Sequence, residues 1–121
     1  TSLEVIPTAY ILVDARTTTS VQKVSETTPI SQSNIQDITL TAMAGELMGK
    51  QLIYLEAGSG AAVPADPKII KNLSESISIP LIVGGGIKSK KQLENAYTSG
   101  ADIVVIGTAF ENNSNFLNEI Q

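Results

Sequence analysis

The sequence predicts an α/β fold built from consecutive parallel βα units. Three observations carry that reading. First, four short apolar runs, Ala9–Val13, Leu52–Leu55, Leu81–Val83 and Ile103–Ile106, are nearly continuous and rich in β-branched residues. Such runs suit strands of a parallel sheet buried on both faces. Second, capped segments with helical periodicity lie between them, and strands alternating with helices imply right-handed βαβ crossovers. Third, the chain has 121 residues for four units, whereas a complete eight-fold barrel takes about 250, or roughly 31 per unit. The units therefore have barrel length and the chain has half a barrel's worth of them. A small open parallel sheet, complete by itself, is the alternative on length alone.

In chain order, Pro7 makes residues 1–8 an uncertain lead-in to the first strand. Residues 17–33 are rich in Ser and Thr and read as a loop with one helical turn around Val21–Val24. Asn34 can cap a longer helix carrying Ile35, Ile38, Ala42 and Leu47, stopping near Gly49; Met43 and Met48 read as packing residues. Asp66-Pro67 opens the next helix, with Asp at the N-cap, Pro at the first helical position and Ile69, Ile70, Leu73 and Ile77 as its apolar stripe. Ser89 and Gln92 have the spacing of a capping box. Leu93, Ala96 and Tyr97 are then expected to face inward, and Gly100 to end the helix with positive φ. A last short helix is expected from about Asn115 to Ile120.

Composition excludes several function classes. Twelve acidic residues face eight basic ones, and Arg16 is the single arginine. No basic face is available to neutralise a nucleic-acid backbone, so no nucleic-acid partner is expected. Cysteine and histidine are both absent. That removes disulfides, thiolate zinc sites, cysteine nucleophiles and the Ser-His-Asp triad. The apolar runs are far shorter than the roughly 20 residues of a membrane span. Absence of cysteine and of a signal-peptide pattern fits a cytoplasmic protein.

In either architecture the loops after the strand C-termini carry the chemistry. Three of these are glycine-bearing: Ala57-Gly58-Ser59-Gly60, Gly84-Gly85-Gly86 and Gly107-Thr108. Glycine lets backbone approach a ligand and adopt positive φ. Free N–H groups can then hold an anion, helped by the positive end of a following helix. Each loop alone is equally consistent with an ordinary turn; three in one register are not readily coincidental. Full nucleotide-binding glycine patterns are missing. Tyr54 and Glu56 share one strand face. A carboxylate there can take a proton from a substrate hydroxyl and a phenol can orient it, or Glu56 can be a rim acid paired with a lysine. Asp14 and Arg16 read as a local ion pair or loop cap, Tyr10 and Tyr97 as core, and Glu4, Glu46 and Asp102 as surface or cap residues.

The stretches YLEAGSG (54–60), PLIVGGGIKS (80–89) and GADIVVIGTAFE (100–111) together resemble the C-terminal half of the geranylgeranylglyceryl phosphate synthase family, a likeness covering nearly the whole chain. The AGSG form resembles the geranylgeranyl type rather than related heptaprenyl enzymes, which carry a shorter YSG-type motif. The resemblance implies residues 1–121 are about strands five to eight of a (βα)₈ barrel. The N-terminal half would be absent from this chain, which either starts mid-protein or is completed by a separate chain, and a homo-oligomer is expected. It implies a prenyltransferase of membrane ether-lipid biosynthesis, joining sn-glycerol 1-phosphate to a prenyl diphosphate. Glycerol phosphate contacts map to Tyr54, Leu55, Glu56, Ala57, Gly58, Ser59, Gly60, Gly85, Gly86, Gly107 and Thr108. Glu56 would be the base for the glycerol 3-hydroxyl, with Tyr54 positioning it. Mg²⁺ would neutralise the leaving diphosphate; its family ligands lie on early strands to which nothing here corresponds. Alternatives are another sugar-phosphate barrel, an isomerase or lyase, and a non-catalytic phosphate-binding fragment. An aldolase would want a strand lysine, and the four runs contain none.

Overall fold

The computed structural model describes residues 2–16 and 19–121, with the side chains of Ser20 and Val21 excepted. Four strands, β1 (Thr8–Leu12), β2 (Leu52–Glu56), β3 (Leu81–Gly84) and β4 (Ile103–Val105), form one sheet in the order β1-β2-β3-β4. Every pairing is parallel. Among the described residues six helices accompany them: α1 (Ser20–Ser25), α2 (Ile35–Leu47), α3 (Pro67–Ser76), α4 (Lys90–Ser99), α5 (Thr108–Asn112) and α6 (Phe116–Ile120). The strand order never reverses, and α2, α3 and α4 pack side by side. Those features mark a segment of barrel wall, because an open doubly wound sheet reverses its order at a switch point.

Strand periodicity sorts the side chains into two rows. Ile11, Leu55 and Val83 are in register and buried, as are Ile53 and Leu81 one step back. They form the core together with Ile38 and Ala42 of α2 and Ile69, Ile70 and Leu73 of α3. The opposite row holds Tyr10, Tyr54, Ile82 and Ile103, then Leu12, Glu56, Gly84 and Val105. Burial on both faces, expected from the continuous runs, is complete only on the helix side; in the opposite row Leu12, Glu56 and Gly84 are buried at the strand tips while the residues before them are open. Tyr10 is 50% exposed and Ile103 49% exposed, because no described element of the chain covers that face. Tyr10 is therefore not a core residue.

The caps form as their residue types require. Asn34 Oδ1 accepts the Asp37 amide, Asp66 Oδ1 accepts the Lys68 amide at 2.8 Å, and Ser89 Oγ accepts the Gln92 amide at 3.2 Å. Gln92 Oε1 reaches back to the Lys88 amide at 2.7 Å, one residue earlier than a standard capping box places it. Gly100 ends α4 at φ +120°. Leu47 is 88% exposed, not part of the α2 stripe. Nine residues beyond Ile38, it lies on the opposite side of a 100°-per-residue helix, and Gly45 takes the buried position instead. Met43 and Met48 are likewise exposed, and Tyr97 lies outside the inward strip marked by buried Ala96. Helix α5, directly after β4, is an element the sequence did not announce.

Candidate functional site

Strand β2 delivers Tyr54 and Glu56 to the open face at its C-terminal end. Glu56 is only 7% exposed, and its Oε1 accepts the Gly58 amide at 2.6 Å. That bond folds the chain sharply back after the strand. It also fixes the carboxylate, because a buried charge is stable only when hydrogen-bonded. Strand β3 makes room by ending in glycine. A Cβ at Gly84 would lie 2.7 Å from Tyr54 Oη and 3.2 Å from Glu56 Oε2; one at Gly85 would lie 2.6 Å from Glu56 Oε1. Gly84 and Gly85 are therefore a space requirement of the acid and the phenol beside them. Gly85 and Gly86 also run at φ +87° and +74°, a backbone conformation that favours glycine.

A cavity of about 110 Å³ opens between the tips of β2, β3 and β4. Tyr54, Glu56, Ser59 and Gly60 line it from the second strand, Gly85 and Gly86 from the third, and Gly107 and Thr108 from the fourth. Ser59 Oγ lies 3.3 Å from Thr108 Oγ1, joining the outer two loops across the middle one. The amides of Ser59, Gly60, Gly85, Gly86 and Gly107 donate to no protein group among the described residues. The concavity thus combines loops whose amides have no protein partner among the described residues with one carboxylate, the chemistry of a site that holds an oxyanion beside a hydroxyl.

Three motif positions do not reach the cavity. Leu55 points into the core. Ala57 is buried and its amide donates to the Gly84 carbonyl at 3.0 Å. The Gly58 amide is committed to Glu56. All three shape the loop behind the cavity. Conversely, Lys88 lines the cavity, with Glu56 the only other charged residue there. Its place two residues after the triple glycine was the available signal. Tyr10 is a second addition. Its ring lies 5.2 Å from that of Tyr54, tilted by 35°. Its register with Tyr54 follows from the parallel pairing, which the sequence alone does not specify.

The tyrosines and the acid are electrostatically joined. The Tyr10 phenol is pushed up to about 12, mainly by burial and then by the Glu56 charge and a hydrogen bond to it. Tyr54 is pushed up further by the same causes in the same order, with Tyr10 adding a small contribution. Both phenols thus stay protonated and present donors to the carboxylate. Asp14 and Arg16 lie apart from this cluster; Asp14 Oδ1 accepts the Arg16 amide at 3.0 Å, a loop cap. Glu46 and Asp102 serve as caps too, accepting the amides of Ser78 and Leu81.

Fold and site together define a segment of a parallel β/α barrel with a glycine-lined cavity at its strand tips. The chain belongs to the PcrB family, whose model matches residues 1–121. It is 56% identical over 110 residues to the geranylgeranylglyceryl phosphate synthase of Zunongwangia profunda, covering 91% of this chain and 47% of that one. The Pyrococcus furiosus protein of the same name is 42% identical over 110 residues, with 91% and 43% covered. Among solved structures, (S)-3-O-geranylgeranylglyceryl phosphate synthase of Thermoplasma acidophilum, in complex with its substrate sn-glycerol-1-phosphate, superposes with a TM-score of 0.90 at 29% identity, over 98% of this chain and 47% of that one. GGGPS of Thermoplasma volcanium gives 0.87 at 33% identity with the same coverage. The chain therefore spans about half the length of the curated relatives it matches.

Proposed function

We propose that this chain supplies the glycerol-phosphate half of a prenyltransferase that forms an ether bond between sn-glycerol 1-phosphate and a prenyl diphosphate, geranylgeranyl in type. The observation that carries the proposal is the buried Glu56 carboxylate standing beside the unpaired amides of Gly85 and Gly86. In this reading the amides of the three glycine loops hold the phosphate, with Lys88 adding a positive charge at the rim. The glycerol 3-hydroxyl then lies against Glu56. Its oxygen attacks C1 of the prenyl group and a C–O bond forms. The bond from C1 to the diphosphate oxygen breaks, and the electron pair leaves with the diphosphate. The hydroxyl proton passes to Glu56, while protonated Tyr54 and Tyr10 keep the carboxylate aimed. Fixing acid and alcohol in one geometry is worth several orders of magnitude in rate.

Mg²⁺ is part of the proposal only as a requirement of the assembled enzyme. Among the described residues no group of three or more His, Cys, Asp or Glu could hold a metal ion. The residues present do not fit the ion. The half-open row of Tyr10, Ile82, Ile103 and Val105 supports closure of the barrel by four further βα units. No described helix is long and apolar enough to cross a membrane. The test is titration of the chain with sn-glycerol 1-phosphate, followed through the amide resonances of Gly85, Gly86 and Gly107, with the enantiomer as control. Ether-bond formation is then assayed with geranylgeranyl diphosphate, Mg²⁺ and a chain carrying the complementary units. Saturable shifts at those glycines and product formation are expected; unshifted glycines at millimolar ligand defeat the proposal.

A further inference from the structure

We propose that Gln32 is a positioning residue for the anion pocket, a latch that holds the loop after β2 against the Gly85-Gly86 turn; this rests on the reading of the pocket given above. Gln32 lies outside the cavity, in the segment between α1 and α2. Its Nε2 donates to the Asp14 carbonyl at 2.6 Å and to the Pro64 carbonyl at 3.3 Å, and its Oε1 accepts the Asp66 amide at 2.7 Å. One carboxamide thus ties together three backbone groups from two separate loops.

The tie matters because of what its far side touches. Residues 57–66 join β2 to α3. Gly58 anchors the start of this loop through Glu56, and Asp66 anchors its end as the α3 cap. Between them the loop presses on the glycine turn at two points. A Cβ at Gly86 would lie 2.7 Å from Pro64 N and 2.8 Å from Val63 O, and one at Gly85 2.5 Å from Gly58 N. Backbone meets backbone at both points, with no flexible side chain between to absorb a shift. Packed contacts of this kind transmit displacement because interiors have little slack. Pro64 is both the residue that Gln32 grips and the residue that Gly86 abuts. Releasing Gln32 therefore frees the wall that sets the direction of the Gly85 and Gly86 amides.

Two variants test the latch. Gln32→Ala removes all three hydrogen bonds. Gln32→Glu keeps the size and the acceptor for Asp66 but turns a carboxylate oxygen toward the carbonyls of Asp14 and Pro64. Each is compared with wild type by amide NMR, first free and then titrated with sn-glycerol 1-phosphate. The amides of Gly58, Gly85 and Gly86 should move in the free protein. Affinity should fall roughly 3- to 30-fold, the range for a mutation acting through a contact network, and the Glu variant should be no better than Ala. Shifts confined to residues 14 and 64–66, or affinity unchanged in both variants, overturn the proposal. If wild type binds no ligand while the free-state shifts still reach Gly85 and Gly86, the latch stands and the glycerol-phosphate reading falls.

Discussion

Gly60 and Gly86 have the same backbone φ, +74°, and differ in their surroundings. Nothing lies within 4 Å of a Cβ built on Gly60, whereas one on Gly86 meets Pro64 N at 2.7 Å and Val63 O at 2.8 Å. Alanine at either position pays the left-handed penalty, about 1–2 kcal/mol. At Gly86 it must also displace backbone, and forcing an extra methyl into a tight site costs about 1–3 kcal/mol more. Gly60→Ala should therefore lose about 1–2 kcal/mol and Gly86→Ala about 2–5 kcal/mol. Urea unfolding at a fixed m-value reads both numbers directly from the midpoints. The difference between the variants isolates the contact, since the φ contribution cancels. Equal losses would show that the Val63–Pro64 wall yields freely, which would refute the tight packing of the glycine turn and weaken the case for the Gln32 latch.

Glu56→Gln keeps an acceptor for the Gly58 amide, so the urea midpoint should move by no more than the difference between a charged and a neutral hydrogen bond, about 1 kcal/mol. In the assembled enzyme the same change should cut turnover about 10²- to 10⁴-fold, the usual worth of a general base; near-normal turnover excludes Glu56 from that role. Tyr10 titrates near 12 in the folded chain against 10.0 in the free side chain, so its contribution to stability is intact below pH 10 and is lost as pH rises toward 12. Tyr10→Phe should flatten that part of the stability profile relative to wild type, and a phenolate absorbance titration should lose its transition near pH 12. Lys88→Gln should weaken binding of sn-glycerol 1-phosphate and reduce its dependence on salt, because the cation at the rim is gone; calorimetry at two ionic strengths measures this.

Much of the architecture was legible because local rules and tertiary fold agree. Asp66-Pro67, Ser89 and Gly100 cap their helices where the residue types demand, and the four apolar runs match the strands to within one residue at most ends. Tyr54, Glu56, Gly85, Gly86, Gly107 and Thr108 do converge on one cavity. The misses share a physical origin. Tyr10 looks like core in a continuous apolar run, but a strand has two faces and at Tyr10 only the helix side is covered. Leu47 fits a loose apolar stripe but falls half a turn away from Ile38. Ala57 and Gly58 carry the motif's composition while their amides are spent inside the loop. Gln32 has no sequence signature at all, because its partners are carbonyls and amides of distant loops.

The alternation along β2 has a practical reach for anyone redesigning this scaffold. Ile53 and Leu55 serve the helix layer while Tyr54 and Glu56 serve the mouth. Libraries at 54 can thus explore new reactivity with the helix layer untouched, while 56 must keep an acceptor for the Gly58 amide. Deleting a single residue from that strand would exchange the two duties, burying the acid among isoleucines and turning the grease outward.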